Sequence, residues 1–175
     1  YGRSTPLAAG EKRAADFMHR EAEAVLPALL AALDVDAGRD RPVLFGHSDG
    51  GSIALLYAAR HPAAVAGVVV AAPHIFVETR TVDHIRLARQ AYQEGGLRER
   101  LARHHDDVDS AFRGWNDIWL DPGFAQWDLR TRLPAITCPV LAMQGIDDEY
   151  GTLAQIRGIR DAADCLLYTS DAADE

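Results

Sequence analysis

Val43-Leu44-Phe45-Gly46-His47-Ser48-Asp49-Gly50-Gly51, running into Ser52-Ile53-Ala54-Leu55-Leu56-Tyr57-Ala58-Ala59, is the stretch that decides the fold. An apolar run, a Gly-x-Ser-x-Gly-Gly turn and a helix-prone run predict a buried strand, a sharp turn and a helix. Such a turn forces Ser48 into a strained backbone conformation and lifts its hydroxyl above the carboxyl end of the sheet. Gly46 and Gly50 are expected to be glycine because side chains there would collide across the turn. The helix behind directs first-turn N–H groups and the positive end of its dipole at the same place.

Gly-x-Ser-x-Gly alone is short and recurs in unrelated turns, and a glycine-rich strand-to-helix turn can also cradle a phosphate. Here no Lys-Ser/Thr pair follows as in a P-loop, and no third glycine stands at dinucleotide-fingerprint spacing. The flanking strand and helix favour a nucleophilic serine.

Other landmarks follow in order. Tyr1-Gly2-Arg3-Ser4-Thr5-Pro6 resembles the "GYGxS" turn after the fourth strand of α/β-hydrolases. Pro139-Val140-Leu141-Ala142-Met143-Gln144-Gly145 resembles their seventh strand, and Gly145-Ile146-Asp147-Asp148 their Gly-x-x-Asp acid loop. Over residues 1–164 the chain therefore resembles the esterase and C–C-bond hydrolase superfamily. Its Ser-Asp-Gly-Gly turn is similar to that of valacyclovirase-like hydrolases, which cleave amino-acid esters. The resemblance implies an α/β class with a partial α/β-hydrolase fold: a parallel sheet flanked by helices, with a helical cap insertion. It assigns 1–78 and 135–164 to an incomplete core and 79–134 to the cap. It also implies that the first four strands and the loop giving a second oxyanion donor precede Tyr1.

The 175 residues are 48% hydrophobic, enough for one domain with a real core. No run is long and apolar enough to span a membrane, and no basic-apolar-small leader opens the chain. Residues 165–175, Cys-Leu-Leu-Tyr-Thr-Ser-Asp-Ala-Ala-Asp-Glu, resemble one reading frame of a transposase sequencing adapter; the alternative is a genuine final strand with an acidic tail. Setting them aside moves the net charge from −8 to −5, a mild acidity that argues against nucleic-acid binding. Cys138 then stands alone as a small core residue, which fits a cytoplasmic location.

Residues 11–33 read as one amphipathic helix with Met18, Ala22, Val25, Leu29 and Leu33 as its stripe and Pro27 as a bend. Ala66-Gly67-Val68-Val69-Val70-Ala71-Ala72 suits a parallel strand buried on both faces. From residue 78 to 134 the strand rhythm stops. Val82, Ile85, Ala88 and Tyr92 mark a helix ending at Gly95-Gly96, and 97–103 a second. Trp115, Trp119, Trp127, Phe112 and Phe124 form either the cap's core or the lining of an apolar substrate pocket, with Trp115 and Trp119 as substrate contacts. The run His104-His105-Asp106-Asp107-Val108-Asp109 reads as solvated surface rather than a metal site.

The resemblance makes Ser48 the nucleophile, the Asp49 N–H an oxyanion donor and Asp148 the orienting acid, with Asp147 as its neighbouring alternative. The chain order Ser, acid, His puts the base after Asp148. The seven histidines are His19, His47, His61, His74, His84, His104 and His105, all before it. The triad histidine is thus expected outside this sequence, with His74 shaping substrate binding. The Asp49 carboxylate either meets a substrate amino group or serves the helix dipole. The expected reaction is cleavage of an ester, thioester, amide or activated C–C bond of a small, partly apolar molecule through an acyl-enzyme. No cofactor, metal, nucleic acid or membrane is expected; the oligomeric state is open. Alternatives are a non-catalytic ligand-binding member of the fold, or a peroxidase or acyltransferase using the same triad.

Overall fold

The computed structural model describes residues 2, 5–8 and 10–163 in full and the backbone of Leu167–Ala172. The chain runs α1 (Phe17–Arg20), a π-helical turn (Glu21–Val25), α2 (Leu26–Ala32), α3 (Ala37–Asp40), β1 (Val43–His47), α4 (Asp49–Arg60) and β2 (Gly67–Ala71). Then come α5 (Thr79–Glu94), α6 (Leu97–Leu101), α7 (Val108–Trp119), β3 (Val140–Gly145), α8 (Ala154–Ala162) and β4 (Leu167–Ala172). It divides into two compact units: a sheet unit, Asp16–Phe76 with Asp128–Glu175, and a helical unit, Tyr1–Ala15 with Val77–Trp127. The longer segment of the helical unit, Val77–Trp127, overlaps the stretch 79–134 expected as a cap, and Tyr1–Ala15 groups with it.

The sheet order is β1-β2-β3-β4 with every pairing parallel, as strands joined by helical crossovers require. Phe45 pairs with Val69, and Val69 with Leu141. Val68, Val70, Val140 and Ala142 are buried, and Leu55 and Ala58 of α4 add to the same core. The backbone of β4 pairs with β3 in the register Val140↔Leu167, so the stretch expected to stand outside the fold includes a strand; residues 164–166 and 173–175 lie outside the described residues.

Three expectations need correction. The burial expected for β1 is not seen: Val43 and Phe45 are 61% and 69% exposed, since among the described residues β1 pairs with β2 alone, the open edge that four strands expected ahead of Tyr1 would otherwise cover. The 11–33 helix starts only at Phe17, and its stripe fails halfway. Met18 and Ala22 are fully buried, but Val25, Leu29 and Leu33 are more than half exposed. The π turn shifts the register just where Pro27, with no N–H to give, follows, and later stripe residues rotate off the face that Met18 occupies. Helix α7 is the third difference: it starts inside the charged run, where the Asp107 side chain caps it by accepting from the Ser110 N–H at 2.8 Å.

The helical unit is built on aromatic packing. Tyr92 and Phe112 stack at 3.8 Å, Trp119 meets Phe124 edge-on at 5.0 Å, and Phe124 stacks on Trp127 at 5.4 Å. Within it, the Gly2 N–H donates to His105 Nδ1 at 2.9 Å. Tyr1, Arg3 and Ser4 of the expected GYGxS-like turn lie outside the described residues. No helix among the described residues is long and apolar enough to cross a membrane.

Candidate active site

Ser48 stands between β1 and α4 with φ 53° and ψ −126°, a conformation L-residues avoid. The surrounding backbone holds it there. The Ser48 N–H donates to the Ala71 carbonyl at 2.9 Å, and its carbonyl accepts from Gly51 and Ser52 at 2.8 and 3.2 Å. A Cβ at Gly46 would fall on the Gly50 carbonyl, so the glycine is obligatory. At Gly51 a Cβ would come within 3.1 Å of Pro73 Cβ. Gly50 is different: a Cβ there meets nothing within 4 Å, so the expected collision is absent and it is the Gly50 backbone, not the Gly50 side-chain position, that crowds the turn. Asp49 is the first residue of α4, where amides point out of the helix end.

Parallel pairing puts the carboxyl ends of β1, β2 and β3 on one edge of the sheet, so Ser48, the loop after β2 and Asp148 share that edge. Asp148 is half-buried, and its Oδ1 accepts from the N–H groups of Tyr150 at 2.7 Å and Gly151 at 3.2 Å. Asp147, the alternative acid, is exposed. Burial pushes the Tyr150 phenol pKa up and likewise that of the Cys138 thiol, which leaves Cys138 a poor nucleophile at neutral pH.

In the loop after β2, Ala72 also has a positive φ, 47°. His74 is 4% exposed and its backbone is clamped by Ser52: the Ser52 Oγ donates to the His74 carbonyl at 2.5 Å and accepts from its N–H at 3.2 Å. This ties α4 to the β2 loop. His47 is exposed on β1. In the helical unit Trp119 is 2% exposed, its surface consumed by Phe124, whereas Trp115 is half-buried and touches Phe112 at 5.8 Å. Two clefts of this unit, of about 590 and 520 Å³, are lined by charged groups including Asp109, Arg113 and Asp117, and neither Trp115 nor Trp119 lines them. Among the described residues no group of three or more His, Cys, Asp or Glu is placed to hold a metal ion.

Sequence reasoning missed Ser52, Gln144 and Gln155, all buried around the edge that carries Ser48 and Asp148. Two glutamines on otherwise apolar faces were the signal available.

A serine strained at a strand-to-helix turn on a parallel sheet, with an aspartate on the same edge, defines an α/β-hydrolase core. The chain belongs to the hydrolase family described as serine aminopeptidase, S33, whose model matches residues 13–165. Solved structures agree on the fold. A carboxylesterase structure from the ammonia-oxidizing thaumarchaeon Nitrososphaera gargenis superposes with a TM-score of 0.63 at 21% identity, covering 90% of this chain and 64% of that one. The esterase from Exiguobacterium antarcticum gives 0.60 at 21% identity, covering 83% and 62%. A thermophilic esterase from Thermogutta terrifontis gives 0.56 at 20%, covering 88% and 63%. The chain thus spans under two thirds of the length of each. No curated protein matches the sequence.

Proposed function

We propose that these residues belong to a serine hydrolase that cleaves an ester, or a thioester, amide or activated C–C bond, of a small, partly apolar molecule. The observation that carries this reading is the backbone of Ser48, held at positive φ by its bond to Ala71 and by the packing of Gly46 on the Gly50 carbonyl. Strain of this kind is maintained only where the surroundings over-determine it, and its effect is to present the hydroxyl at the sheet edge.

In the proposed reaction Ser48 Oγ attacks the substrate carbonyl carbon while a histidine takes its proton. The Asp49 N–H stabilises the oxyanion, and the same proton then passes to the leaving alcohol as the acyl–oxygen bond breaks. Water, deprotonated by that histidine, hydrolyses the acyl-enzyme. Asp148 orients the histidine. Two backbone N–H groups already occupy its Oδ1, which leaves Oδ2 to accept from an imidazole. We assign the base to a histidine outside these residues, since the order along the chain in this fold is Ser, acid, His and all seven histidines precede Asp148.

The test is Ser48→Ala in the intact gene product that carries these residues. Loss of p-nitrophenyl ester turnover by about 10³-fold or more, with fluorophosphonate labelling abolished and the thermal melt kept, is the expected result. Turnover that survives the substitution overturns the proposal and favours a ligand-binding member of the fold.

A further inference from the structure

We propose that Gln144 is a positioning residue that aims the Asp148 carboxylate, acting through the backbone of Gly151; this rests on Asp148 being the orienting acid. On one face β3 presents Val140, Ala142 and Gln144, with exposures of 0%, 0% and 2%. A primary amide in that series must be desolvated, which is costly unless its hydrogen bonds are replaced. One bond replaces them: Nε2 donates to the Gly151 carbonyl at 3.4 Å, and Oε1 is buried with no partner among the described residues. An apolar side chain of similar shape would relieve that cost, since replacing a poorly satisfied buried polar group is close to neutral for stability or favourable. Packing therefore gives no reason for glutamine at 144.

The position of Gly151 supplies one. Its carbonyl accepts from Gln144 while its own N–H donates to Asp148 Oδ1 at 3.2 Å. One residue is thus gripped on both sides, and holding its carbonyl restrains the loop backbone that presents the Tyr150 and Gly151 N–H groups to the acid. Two further side chains wall the same point. A Cβ on Gly151 would sit 3.5 Å from Gln144 Nε2, 3.6 Å from Gln155 Cγ and 3.7 Å from His74 Cε1. Gln155 is itself immobilised, with Oε1 accepting from the Ile75 N–H at 2.8 Å and Nε2 donating to the Phe76 carbonyl at 3.2 Å. Gly151 lies where the loops after β2 and β3 meet buried polar side chains, and Gln144 is the one that bonds to it. The orientation of the Gln144 amide follows from its partner, because a carbonyl accepts only from Nε2.

The experiment compares the intact gene product with its Gln144→Met and Gln144→Leu variants, by amide hydrogen exchange and by p-nitrophenyl ester kinetics. Both substitutions keep volume and remove the orphaned acceptor. Exchange at Tyr150 and Gly151 is expected to rise about tenfold while Val68, Val70 and Val140 stay within about twofold, since the loss of one hydrogen bond is local. Turnover should drop in kcat by about tenfold with KM unchanged. Unchanged exchange at Tyr150 and Gly151, a uniform rise across the sheet, or a local rise with kcat intact each overturns the proposal. Asp148→Asn, measured alongside, separates the two levels. If it leaves turnover intact, the acid assignment fails, and this inference with it. If it abolishes turnover while Gln144→Met does not lower kcat, only the Gln144 inference fails.

Discussion

The sheet unit and the helical unit use the same charged residue types for different purposes. In the sheet unit Arg39 with Asp40, Arg130 with Asp128 and Arg160 with Asp161 are local ion pairs, each joining residues one or two apart in the chain. In the helical unit Arg86 and Asp83 form one local pair within α5, but other pairs bridge helices. Arg89 of α5 donates to Asn116 and Asp117 of α7, both at 2.6 Å. Asp109 of α7 accepts from Arg98 of α6 at 2.7 Å and from Tyr92 of α5 at 2.6 Å. A local pair survives when tertiary structure opens and adds little to it, whereas a bridging pair is lost with it. The sheet unit is held by β-branched burial and backbone ladders, and the helical unit by aromatic stacking and titratable bridges. Their responses to mutation, acid and salt should therefore separate.

The largest effect is expected at Trp119. Trp119→Ala removes a side chain that is 2% exposed and should cost about 3–5 kcal/mol, melting the helical unit first. Hydrogen exchange in α5 and α7, against that in β2 and β3, checks the order; equal loss in both units would break the comparison. Next comes Gly46→Ala, whose new Cβ overlaps the Gly50 backbone and cannot be relieved by a side-chain rotation. Roughly 3 kcal/mol of destabilisation, read by chemical denaturation, should fall on the sheet unit.

Acid should act on the helical unit. Arg98 and then Tyr92 hold the Asp109 carboxyl down at about 2, from an ordinary value of 3.8. Its contribution is complete above about pH 4 and disappears as the pH falls toward 2. Near-ultraviolet circular dichroism, dominated by the tryptophans, should therefore decay over that interval in wild type and less in Asp109→Asn. Added salt at neutral pH should weaken the same bridges. The smallest effect is expected for Gly50→Ala. The added methyl meets nothing within 4 Å and the position is helical, so a gain of about 0.5–1 kcal/mol in the melt is expected.

The strand-to-helix turn was legible because its constraints are local: each small residue answers to atoms a few positions away, and only Gly50 answered to something else. Strand β2 was legible from its run Val68-Val69-Val70, and β3 from the resemblance of residues 139–145 to the seventh strand of α/β-hydrolases. The register of the helix from Phe17 was not, because a π turn leaves no mark on composition and Pro27 signals a disturbance without its direction. Helix α7 was hidden by its own cap, since Asp107 in an acidic run looks like surface until Ser110 is seen donating to it. Exposure of Val43 and Phe45 depends on what lies beside β1, which no residue of β1 encodes. Asp148 could be singled out from the Gly-x-x-Asp spacing, but the bonds of Gln144 to Gly151, Gln155 to Phe76 and Ser52 to His74 join residues that only the fold brings together.

The insertion of the helical unit between β2 and β3 also bears on folding rate. Val68 and Val140 pair across a long interval of chain, and closing it early would cost considerable entropy. The helical unit carries its two ends side by side, the Val77 N–H donating to the Trp127 carbonyl at 3.3 Å. Once it forms, the segment left to close shrinks to residues 72–76 and 128–139, roughly a quarter of the original and about 1 kcal/mol cheaper. The local-contact helices α5 to α7 should accordingly gain protection first in pulse-labelled refolding, with β3 adding to β2 afterwards. The insertion then works as a kinetic clasp for the sheet that it interrupts.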